Sequence, residues 1–74
     1  MKEYQKKMYN LRNDKDITEK ELGALLNKSQ QGYDNLEKGR AKLTADDLKE
    51  LCIFYKVSAD YILGLPKGLP YPDR

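Results

Sequence analysis

The chain contains no histidine, no tryptophan and a single cysteine, Cys52. One cysteine cannot close an internal disulfide, and without histidine no set of thiol and imidazole ligands stands at metal spacing. Catalytic arrangements that need histidine as a base are excluded with it. No run of about 18 apolar residues is present, so no membrane-spanning helix is expected. The opening residues, Met1 to Lys7, lack the apolar stretch of a secretory signal, and a cytoplasmic protein is expected. No glycine-rich phosphate loop follows a strand pattern. The expectation is therefore a protein that is not an enzyme, with no cofactor, no metal, no membrane partner and no small-molecule ligand evident.

What remains is a charged chain of 74 residues, the size of one domain. Fourteen Lys and Arg against twelve Asp and Glu leave a net charge of +2, which permits nucleic-acid binding without announcing it. The distribution says more. Lys38, Arg40 and Lys42 cluster in the middle of the chain, and Asp46, Asp47 and Glu50 follow just downstream.

Apolar spacing is helical throughout and nowhere alternates with period two, so the fold class is all-α. Thr18 with Glu21, and Thr44 with Asp47, have the spacing of a capping box, in which the hydroxyl takes an orphan amide and the acid reaches back. Ser29 and Ser58 are N-caps without an acidic partner, and Gly39 and Gly64 are left-handed stops. These signals predict helices over 4–13, 18–26, 29–38, 44–56 and 58–63. The corner Asn27-Lys28 is too short for an antiparallel return, so a sharp bend is expected there. Residues 1–65 form the domain, and 66–74, with three prolines, form an extended tail.

A step of about 100° per residue puts Gln30, Gln31, Asp34, Asn35 and Lys38 on one arc of the third segment, opposite Tyr33 and Leu36. An amide offers a donor and an acceptor together, the pattern adenine presents at N6 and N7 in the major groove. A polar arc is also what any solvated helix face looks like. The context separates the two readings: a capped helix precedes the arc across a short corner, and a glycine and a basic loop follow it.

At these residues the sequence resembles the Cro/repressor-type helix-turn-helix family, also called the XRE family, over roughly Tyr9 to Leu65. Leu11-Arg12 is similar to the family's Leu-Arg in its first helix. Ile17-Thr18-Glu19-Lys20-Glu21-Leu22-Gly23 resembles its second helix, and Ser29 through Leu36-Glu37-Lys38-Gly39 its third. Leu48, Leu51, Tyr55, Val57-Ser58 and Asp60-Tyr61-Ile62-Leu63-Gly64 look like its last two. The resemblance implies a compact five-helix, repressor-like domain of bacterial or phage type. Its partner would be double-stranded DNA, which it reads sequence-specifically as a transcriptional regulator, with repression expected. Ser29, Gln30, Gln31 and Asn35 would face bases. Lys28, Lys38, Arg40 and Lys42 would hold phosphates, together with backbone amides of the loop and of the second helix's N-terminus. Arg12 and Glu37 would form a structural ion pair tying the first helix to the end of the third.

Several residues depart from the family pattern. Glu19 replaces a glutamine that contacts phosphate, although an acid in a helix's first turn also suits the helix dipole. Gly32 lies inside the recognition segment, where it allows a close backbone approach, loosens the helix or is merely tolerated. Gly23 falls where the family keeps a small residue between helices. Tyr33 takes an aliphatic core place, its hydroxyl expected at the rim.

In the fourth segment Leu48, Leu51, Cys52 and Tyr55 form the inward stripe, which leaves Ile53 and Phe54 outside. Two covers are open: the tail folding back through Leu65, Leu69 and Tyr71, or a second copy in a two-fold dimer. A dimer would read half-sites about one helical turn apart. The alternative function is a protein-binding adaptor that keeps the helix-turn-helix fold without reading DNA, using Ile53, Phe54 and the tail.

Overall fold

Four side-chain hydroxyls start four of the helices in the computed structural model, which describes residues 2–72. Thr18, Ser29, Thr44 and Ser58 accept from the backbone N–H three residues on, at 3.0 to 3.2 Å. The helices they open are α2 (Glu19–Leu25), α3 (Gln30–Glu37), α4 (Ala45–Tyr55) and α5 (Ala59–Leu63). The first, α1 (Glu3–Asp14), starts by another device: the Gln5 side chain accepts from the Lys2 backbone N–H at 2.9 Å. Gln5 gave no signal in the sequence as a cap residue, yet it is buried, and its amide sits where a Cβ on Gly39 would fall.

The acidic halves of the two expected boxes do not close back on the cap N–H. Glu21 instead accepts from the Thr18 hydroxyl at 3.3 Å. Asp47 turns toward Lys28, whose Nζ lies 3.5 Å away, because the corner between α2 and α3 packs against the start of α4. The hydroxyl alone caps each helix.

Left-handed residues follow the helix ends. Gly39 and Gly64 take φ of +79° and +72°, and Asn27 makes the corner at φ 62°. Lys56 also stops α4 left-handed at φ 58°, a cost of about 1 kcal/mol for a side chain with a Cβ. The Val57 N–H returning to the Cys52 carbonyl at 3.1 Å offsets it.

Every helix contributes to one core: Met8 from α1, Leu22 from α2, Tyr33 and Leu36 from α3, Leu51 and Tyr55 from α4, and Ile62 from α5, with Leu26 at the corner. Full burial of such a side chain contributes about 1.5 to 3 kcal/mol. The tightest approach lies between α2 and α3. A Cβ on Gly23 would stand 2.9 Å from the backbone oxygens of Lys28 and Ser29, so only glycine lets the corner close, and the Lys28 N–H then reaches the Gly23 carbonyl at 2.7 Å. Gly32 differs, because its nearest neighbours are side-chain atoms of Ser29 and Lys28; no backbone approaches it.

Two sequence expectations are corrected by the packing. Tyr33 is fully buried and its hydroxyl lies inside, not at the rim, because α3 lies close enough to α1 and α2 to seal that edge. The described part of the tail does not cover α4. Ile53 and Phe54 stay 62% and 43% exposed while Leu69 and Tyr71 point to solvent, and Leu65 lines a different cleft, with Glu3, Lys7 and Tyr61. Residues 65–72 form no helix and turn once, at Lys67–Gly68. Of the tail expected over 66–74, Asp73 and Arg74 lie outside the described residues. No helix among the described residues is long and apolar enough to cross a membrane.

Candidate nucleic-acid interface

The buried side of α3, formed by Tyr33, Leu36 and Glu37, fixes which residues must face outward. Gln30, Gln31 and Lys38 are exposed, and Asp34 and Asn35 are half-buried beside them. Ser29 is exposed, with its oxygen taken by the Gly32 N–H and its own proton free to donate. Gln31 Nε2 donates to Asn35 Oδ1 at 3.0 Å. That bond joins two amides one turn apart and leaves the Gln31 oxygen and the Asn35 NH2, an acceptor and a donor, without a protein partner among the described residues.

Behind this face the chain is locked. Arg12 Nε donates to Glu37 Oε2 at 2.7 Å, its Nη2 to Oε1 at 3.2 Å, and its Nη1 to the Ile17 carbonyl at 3.1 Å. One guanidinium therefore ties α1, the start of the helix-turn-helix and the end of α3. Both side chains are largely out of water, at 13% and 4% exposure, so neither charge is stable without the other. The hydrogen bond from Arg12 to Glu37 raises the guanidinium above its already high value. The Tyr33 and Tyr55 hydroxyls are buried in the same region. Burial, with Glu37 nearby, pushes Tyr55 up to about 12 and Tyr33 further.

The expected phosphate-holding cations are mostly occupied within the protein. Lys38 Nζ lies 2.6 Å from Asp34 Oδ1 and Arg40 Nη1 3.8 Å from Asp34 Oδ2. Arg40 comes back to Asp34 because the loop folds onto the helix end, the Arg40 and Ala41 N–H groups both donating to the Asn35 carbonyl. Lys28 pairs with Asp47. Lys42 is exposed and makes no ion pair among the described residues.

Glu19, at the start of α2, shares an open cleft with Gln30, Gln31, Asp34 and Lys38. Facing the Asp34 carboxylate, to which its protonated form can donate, and then partly buried, Glu19 is held above the usual carboxylate range. Asp34 moves the other way, lowered first by Lys38 and then by Glu19. The structure thus brings the amide arc together on one face and sets an acidic pair at its edge. Sequence spacing places Lys38 one turn after Asp34, but it could show neither the approach of Arg40 nor the Lys28–Asp47 bridge, since both depend on how loops fold back.

Searches of curated proteins and of solved structures returned no match. The sequence profile described as Helix-turn-helix matches residues 8–62, from the core methionine of α1 to the core isoleucine of α5. Five capped helices around one core, a glycine-closed corner and that match together make the chain a member of the Cro/repressor-type, or XRE, family of DNA-binding helix-turn-helix regulators.

Proposed function

We propose that the protein reads a specific double-stranded DNA sequence through α3 in the major groove and represses transcription by occupying its site. The observation that carries this reading is the arc of Gln30, Gln31 and Asn35. It stands outward on a helix whose other side is fixed in the core, and its amides offer the paired donor and acceptor that a base edge presents in the major groove. Ser29 adds a free hydroxyl proton at the helix start. Lys28, Lys38, Arg40 and Lys42 surround the face as phosphate partners, Lys42 with its charge uncommitted. Repression needs only occupancy, which a single small domain can supply. We further propose a homodimer joined through Ile53 and Phe54, since the tail leaves them bare.

Binding to a random duplex and to a duplex selected from a random pool, each across a salt series, tests the reading. Log K should fall with log salt by about 0.9 per phosphate contacted. Gln30→Ala and Gln31→Ala should cost about 1 to 3 kcal/mol on the selected duplex and little on the random one, whereas Lys42→Ala should weaken both alike. Undetectable or salt-independent binding, or equal glutamine losses on both duplexes, defeats it. A protein-binding adaptor is the second reading, favoured by the committed cations around α3 and the exposed pair on α4.

A further inference from the structure

Asp34 occupies a place on the DNA-facing arc where a carboxylate opposes phosphate, yet each of its oxygens faces a cation expected to hold phosphate. Its Oδ1 holds Lys38 at 2.6 Å and its Oδ2 faces Arg40 at 3.8 Å. The carboxylate is itself well placed, with its side chain 14% exposed, whereas Lys38 and Arg40 are 53% and 64% exposed and would otherwise project freely. Glu19 stands across the same cleft and adds negative charge behind it.

Sequence-independent affinity for DNA comes from cations that displace counterions from phosphates. A cation already paired with a carboxylate contributes less of that term, because the pair must open or the carboxylate must approach the backbone with it. Amides that read base edges are untouched by this pairing. Gln31 and Asn35 are joined to each other rather than to any charge, and Gln30 makes no hydrogen bond to another side chain among the described residues.

We propose that Asp34 is a specificity-determining residue that acts by holding Lys38 and Arg40 off non-target phosphates, so that binding depends on the amide arc. It is a positioning residue, since it works through the two cations rather than by touching a base. The inference rests on the DNA-reading function proposed above and goes further by assigning the discrimination to one carboxylate.

The test compares wild type, Asp34→Asn, Asp34→Glu and the charge-matched control Asp60→Asn, on α5, for binding to a random duplex and to the selected duplex. Asp34→Asn should tighten random-duplex binding about tenfold and steepen its salt slope by about 0.9 for each cation released. The selected duplex should gain less, so the ratio of the two affinities falls. Asp34→Glu should stay near wild type by restoring the pair, and Asp60→Asn should leave the slope unchanged. Thermal unfolding of Asp34→Asn should stay close to wild type, because the two cations it releases are more than half exposed and remain hydrated without it. As a second arm, Lys38→Gln should cost more random-duplex affinity in the Asp34→Asn background than in wild type.

Wild-type affinity and slope in Asp34→Asn, the same change in Asp60→Asn, or an equal Lys38→Gln cost in both backgrounds overturns the assignment while leaving the DNA reading intact. Binding by neither wild type nor Asp34→Asn at low salt overturns both. Binding by Asp34→Asn alone supports the assignment in its strongest form.

Discussion

A few residues hold this molecule's charges where water would not, and their chemistry gives two measurable consequences. Glu37→Gln removes the carboxylate that the buried Arg12 needs, at a cost of about 3 to 5 kcal/mol. A domain of this size has about 5 to 15 kcal/mol in all, so the variant should unfold at markedly lower denaturant concentration. A midpoint unchanged from wild type would mean that the pair carries little. The second consequence is a loss of stability in base. Unfolded tyrosines ionise near 10, whereas Tyr55 stays protonated up to about 12 and Tyr33 beyond that. Between those values the unfolded chain binds fewer protons than the native one, so stability falls as pH rises from about 10 toward 12. Denaturation midpoints measured from pH 9 to about 11.5 should fall, and Tyr55→Phe should flatten part of that fall. Folded protein whose six tyrosines all ionise together near 10 would contradict it.

At the scale of the elements, the relation of α2 to α3 is set by one glycine. Gly23→Ala gains about 1 kcal/mol of helix propensity, but its methyl meets two backbone oxygens at 2.9 Å that no side-chain rotation can clear. Overpacking of this kind costs about 1 to 3 kcal/mol, so the net effect should be destabilising, and Gly23→Val should be worse. A variant as stable as wild type would show that the corner relaxes. The caps show the same local logic: Thr18, Ser29, Thr44 and Ser58 announce their helices because a hydroxyl acts within three residues of itself. Gln5 and Lys56 were not legible, the first because it meets the loop at Gly39 only in the folded chain, the second because a lysine carries no signal for a left-handed turn. The amide arc of α3 was readable as a wheel, and so was the place of Lys38 one turn after Asp34, but the return of Arg40 to the same carboxylate was not.

For the whole molecule the open question is what covers α4. Ile53, with Leu48, Cys52 and Val57, lines an apolar surface that the described tail does not reach, and Phe54 is exposed on the same helix. Phe54 is steadied against Tyr55 by an edge-on contact with ring centroids 5.1 Å apart, which keeps it presented without burying it. A two-fold dimer would bury this pair twice. Phe54→Glu should then shift sedimentation equilibrium toward the monomer while leaving the helical circular dichroism unchanged. Wild type that stays monomeric at high concentration would refute the dimer.

The sequence by itself determined the all-helical class, four of the five helix starts, the left-handed stops at Gly39 and Gly64 and the inward residues of α3 and α4. Each of these depends on residues within a turn or two of one another, so spacing carries the physics. Only the tertiary structure decided which of the distant charges meet. The Arg12–Glu37 lock spans 25 positions, the Lys28–Asp47 bridge joins the α2–α3 corner to the start of α4, and Arg40 reaches Asp34, already paired with Lys38 one turn on, because the loop after α3 folds back. An ion pair depends on distance in space, and for residues far apart in sequence that distance exists only once the core has closed.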